Sequence, residues 1–143
     1  MELRKPVIAA AALVAWTFAT PACGYQPRVN FQLHCMGCHH GDGAGESGRV
    51  PSIRATLVPF SALAEGRDFV LRVPGVTQAR LSDADLAALL NWMARNLSDI
   101  AVPADFVDYS TQEVAGNRHR PLLGVSDVRR ALLVRIATPS GKP

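Results

Sequence analysis

The sequence predicts an all-α domain. Three observations carry that prediction. Leu86, Leu89, Leu90, Met93 and Leu97 recur at helical spacing and make one apolar stripe. Val128, Leu132, Leu133 and Ile136 repeat the pattern over a shorter stretch near the C-terminus. Phe31 and Cys35 stand four apart, so they fall on one face of a third helical segment. The composition agrees with one folded domain: 143 residues, 48% hydrophobic, 19% charged, long enough for one modest core. A formal net charge of +3, carried by 13 Arg and only 2 Lys, gives no ground for nucleic-acid binding. Three cysteines are an odd number, so a closed disulfide framework cannot use them all.

Residues 1–22 read as a targeting segment. Arg4 and Lys5 make a positive start, and Val7 to Ala19 then runs without a charge. That run is shorter than the ~20 apolar residues of a spanning helix. The small residues Ala19-Thr20-Pro21-Ala22 follow it. This is the order of a secretory signal peptide, which predicts a periplasmic or otherwise exported mature chain. The alternative is an uncleaved membrane anchor. Ala22-Cys23-Gly24 resembles the lipobox of bacterial lipoproteins, although Thr20 stands where that motif prefers Leu. Lipidation would tie Cys23 to a membrane surface. Ordinary cleavage near Ala22 would leave Cys23 free or in the removed peptide.

The remaining elements follow in order. Tyr25 to Leu33 leads into a cysteine-histidine cluster. Gly41, Gly43, Gly45 and Gly48 mark a loop. Leu57 to Val73, interrupted by Pro59 and Gly66, predicts a short helix plus loops. Ser82 is a good N-cap, and Asp83 and Asp85 place negative charge in the first turn of the helix that follows, which should end at Asn96 to Ser98. Beyond it, residues 99–143 are expected to form an Arg-rich extension wrapped on the domain. Pro103, Gly116, Pro121 and Gly124 break it up, and Ser126 to Ile136 predicts one short helix with Arg129, Arg130 and Arg135 exposed.

The chemistry lies in Cys35-Met36-Gly37-Cys38-His39. A C-x-x-C-H run reads as covalent attachment of one haem c. Two thiols three positions apart can reach two vinyl groups along one porphyrin edge, and the next residue can turn its imidazole onto the iron. Export agrees, because such haem is attached outside the cytoplasm in bacteria. Three alternatives compete. A redox dithiol requires a surrounding βαβ pattern, which is absent. A zinc site lacks a second Cys pair, so His34, His39 or His40 would have to complete it. A plain disulfide suits an oxidising compartment.

From Cys23 to about Ser98 the chain resembles a small class I cytochrome c domain. Phe31 stands four before the first motif cysteine, where the family keeps an aromatic residue. The glycine loop Gly41 to Gly45 follows the motif, and Leu81 to Leu89 is similar to the start of the family's last helix, with Trp92 where an aromatic residue packs on the first one. The resemblance implies a cytochrome c-like fold: a few short helices around one covalent haem, Cys35 and Cys38 as thioether residues, and His39 as the axial iron ligand. Pro51, twelve residues after His39, would accept the hydrogen bond from the other ring nitrogen. Phe31 and Trp92 should touch as core residues.

The chain departs from the family at the sixth ligand. Where these proteins carry Met-Pro before the last helix, this one reads Val73-Pro74-Gly75. Met93, His119, water or no ligand remain for that position. Met36, His34 and His40 are badly placed for it. Met93 also suits core packing, and His119, between Arg118 and Arg120, also suits the surface.

The expected function is electron transfer without catalysis: a periplasmic one-haem carrier that relays single electrons between redox protein partners such as a dehydrogenase or oxidase. One alternative is a haem protein with an open sixth position that binds a small ligand or reacts with peroxide. Another is a cytochrome subunit of a larger periplasmic dehydrogenase, with the extension as interface. No catalytic triad, paired carboxylate site or phosphate loop is visible. The glycine loop lacks the preceding strand of a dinucleotide fingerprint.

Overall fold

The structure, a computed structural model, describes residues 25–120 and 122–138. The expected targeting segment over 1–22 and Cys23 lie outside the described residues. Those residues form seven helices: α1 (Pro27–His34), α2 (Leu57–Ser61), α3 (Ala64–Arg72), α4 (Pro74–Thr77), α5 (Asp83–Asn96), α6 (Thr111–Asn117) and α7 (Val125–Ala137). None is long and apolar enough to cross a membrane.

α5 follows its sequence signals closely. The Ser82 hydroxyl accepts the Asp85 N–H at 3.1 Å, closing the first turn. Leu86, Leu89, Leu90, Met93 and Ala94 are buried along one face. α1 begins with Pro27, whose missing N–H is no loss at a first helical position. It packs across α5 through Phe31, which is 1% exposed. The Phe31 and Trp92 ring centroids are 5.8 Å apart at a tilt of 44°, so the expected contact is made.

Residues 57–73 are more helical than the sequence reading allows. α2 and α3 occupy nearly all of that stretch. Pro59 is the third residue of α2, where the backbone N–H would have no intrahelical partner. Gly66 is a packing glycine, not a breaker: a Cβ there would stand 2.1 Å from the Phe60 carbonyl oxygen. The bare backbone lets α3 fold back against α2, and Phe60 and Phe69 meet edge to face at 5.5 Å.

The extension is built into the core. Tyr109, Val114 and Leu132 are buried with the side chains of α1 to α5. α6 packs on α5 and α3, and α7 on α3 and α2. Ser110 caps α6 by accepting the Glu113 N–H at 3.1 Å. Arg67 of α3 ties the segment down. Its guanidinium grips Glu113 through both oxygens at 2.7 and 2.6 Å, donates to the Val107 carbonyl at 2.7 Å, and lies 4.1 Å above the Tyr109 ring. The hydrogen bonds that Arg67 donates to Glu113 hold its pKa above the ordinary value.

Candidate cofactor site

The end of α1 positions the motif. The Cys35 N–H donates to the Phe31 carbonyl at 2.9 Å, closing the helix. The Cys35 carbonyl then accepts two N–H groups, Cys38 at 3.1 Å and His39 at 2.9 Å. This turn brings Cys35, Cys38 and His39 onto the wall of one cavity of about 440 Å³. Its remaining lining is mostly apolar, with Phe60, Phe69, Val70, Leu86, Leu90 and Met93 prominent. The size and character are those of a cofactor pocket.

Cys35 and Cys38 form no disulfide in this structure. Burial, reinforced by the neighbouring Cys38, pushes Cys35 up to about 11. A catalytic dithiol needs the opposite shift, toward thiolate at neutral pH. Nor do three His, Cys, Asp or Glu side chains come together as an ion cage among the described residues. Among the described residues the zinc alternative therefore lacks a ligand set.

His39 is half-buried, and burial lowers its pKa below the ordinary value. Its Nδ1 is buried without a hydrogen-bond partner. An unpaired buried ring nitrogen is costly and calls for an occupant of the site or a rearranged acceptor. Pro51 lines the same cavity, but its carbonyl makes no bond to Nδ1 in this structure. Pro51 is held by the glycine loop. Glu46 and Val50 exchange both backbone hydrogen bonds at 2.8 Å. A Cβ on Gly45 would stand 2.0 Å from the Val50 carbonyl oxygen. Arg54 braces the loop by pairing with Asp42 and Asp99.

The candidates for a sixth iron ligand separate clearly. Val73 lines the cavity and offers no donor atom. Met93 lines it too and is 5% exposed. His119 is exposed and outside the cavity lining. Its neighbours hold it at the surface: Arg118 pairs with Asp83 at 3.1 Å, and the Arg120 carbonyl accepts from Arg72 at 2.9 Å. Met36 is 42% exposed and His40 is exposed, both away from the cavity. His34 reaches its rim from the last turn of α1.

Two wall residues come from the extension. Val125 and Arg129 of α7 line the cavity. Arg130 and Arg135 are exposed as the sequence suggests, but Arg129 is half-buried, which corrects that expectation. Val125, Arg129, Leu132 and Ile136 follow helical spacing on one face of α7, so Arg129 shares the face that docks. The apolar periodicity contained this signal, but the arginine's charge argued for solvent. The chain matches no protein-family model and no curated protein.

Proposed function

We propose that this chain is an exported single-haem c-type cytochrome with a cytochrome c-like fold, relaying single electrons between redox proteins. One observation carries the reading: Cys35, Cys38 and His39 open together onto an apolar cavity of about 440 Å³. The residues fit the group. Cys35 and Cys38 would hold it through thioethers, each thiol adding sulfur to one carbon of a vinyl double bond and its proton to the other, with no net redox change. His39 would offer Nε2 to the iron with its proton on Nδ1, and Pro51, on the same cavity wall, would have to turn its carbonyl to accept that proton's hydrogen bond. Bound haem supplies reversible one-electron ferric/ferrous chemistry. Phe60, Phe69 and Leu86 give the cavity an apolar wall, and Met93 adds a thioether to it.

The arginines of the extension steer partners less than their number suggests. Arg118 pairs with Asp83, Arg120 with Asp68, Arg130 with Asp127 and Arg135 with Glu65. The extension also spends apolar surface on its own core through Tyr109, Val114 and Leu132. That leaves less of it for a subunit interface.

A second reading rests on its own observation. Val73 occupies the cavity wall and His119 lies outside it, which favours an open iron that binds a small ligand. Optical spectra of the mature chain, matured with haem-attachment machinery, decide between the two. A low-spin spectrum unchanged by carbon monoxide supports the carrier. A high-spin spectrum that shifts with carbon monoxide supports the ligand-binding protein.

A further inference from the structure

Among the described arginines, Arg28, Arg80 and Arg129 have no hydrogen bond or ion pair, and Arg28 and Arg80 are exposed. Arg129 is half-buried. It lies where the apolar cavity meets a second, more polar cleft of about 490 Å³ bounded by the glycine loop and Ser126. Arg49 of the glycine loop also lines both spaces, and among the described residues it pairs only with the exposed Glu46. A guanidinium withdrawn from water without a counter-charge is unfavourable. Its planar fork matches a carboxylate through two parallel hydrogen bonds.

We propose that Arg129, assisted by Arg49, is the anchor for a carboxylate of the bound porphyrin, so that α7 closes the cofactor site from the C-terminal extension. The inference rests on the haem reading above. It gives the extension a role at the site. Leu132 fixes α7 to the core, Arg135 fixes it to Glu65, and Val125 closes the apolar wall beside Arg129. A fixed cation near the iron favours the reduced state, which carries one positive charge fewer. Its removal must therefore lower the reduction potential.

The test is a spectroelectrochemical titration of haem-loaded protein. Arg129→Met keeps an unbranched apolar stem against the wall and removes the charge. It is expected to shift the one-electron equilibrium about tenfold toward ferric iron, a fall of about 59 mV. Arg130→Met, which removes an exposed neighbouring charge, is expected to leave the potential near wild type. Arg129→Lys keeps the charge but loses the fork, so its fall should be smaller than that of Met yet larger than that of Arg130→Lys. If Arg129→Met does not accumulate, the lysine pair carries the test. Arg129 variants indistinguishable from the Arg130 variants overturn this inference while the haem reading stands. A wild-type chain that acquires no covalent haem overturns both.

Discussion

Tyr109→Phe removes one hydroxyl from the joint between the extension and the core. Tyr109 is 2% exposed, and its hydroxyl lies 2.7 Å from Ser61 Oγ. Ser61 gives its single proton to the Leu57 carbonyl at 2.7 Å, so the phenol is the donor in the pair. Losing that bond should cost about 1 kcal/mol at neutral pH. The pH dependence is more diagnostic. Burial pushes the phenol from 10.0 up to about 12. A folded-state pKa raised in this way gives stability that is fully present below pH 10 and is lost as pH rises toward 12. At 1.36 kcal/mol per unit, wild type should lose about 2 kcal/mol of it by about pH 11.5. Phenylalanine cannot ionise. The wild-type advantage should therefore shrink above about pH 10 and reverse by about pH 11.5. Urea unfolding of both proteins at matched pH reads the difference directly, since other titrations cancel. Ultraviolet titration should show a late phenolate step in wild type that the variant lacks. A stability gap that stays constant from about pH 8 to about pH 11.5 would refute the reasoning.

Substitutions at three further positions probe the frame around the cavity. Phe31→Ala should cost about 3–5 kcal/mol by emptying the contact between α1 and α5. Against a typical total of about 5–15 kcal/mol this should appear as a much lower urea midpoint; a midpoint near wild type would show that Trp92 does not rely on this ring. Arg67→Met should cost about 3 kcal/mol by stranding Glu113 and the Val107 carbonyl, and Arg67→Lys should restore little because it lacks the bidentate fork; full rescue by lysine would contradict the geometry. Gly45→Ala should lower the thermal midpoint by the equivalent of about 1–3 kcal/mol, because the added Cβ meets the Val50 carbonyl and not a yielding side chain; an unchanged midpoint would show that the glycine loop relaxes freely.

These residues also show what the sequence could and could not reveal. α5 was legible because cap, first-turn acids and apolar stripe agree over four turns. The core of α7 was legible from its apolar repeat alone, since no side-chain cap marks its start. α2 and α3 were partly hidden because Pro59 and Gly66 look like breakers until the neighbouring backbone is seen. α6 was missed, although Ser110 with Glu113 three positions on is a capping signal. The C-x-x-C-H turn is local, so its three candidate side chains could be named from spacing. The walls around them come from α2, α3, α5 and α7, far apart in the chain, and no local pattern reports such convergence. Arg129 was read as exposed because charge was weighed above helical phase.

The central claim is that Cys35 and Cys38 hold haem covalently, and intact mass under denaturing conditions tests it most directly. The mature chain, produced with export and haem-attachment machinery, should carry the mass of one haem that organic solvent and acid do not remove. The Cys35→Ser, Cys38→Ser double variant should carry none. A wild-type chain with the mass of the polypeptide alone, its two thiols free or joined to each other, would contradict the account.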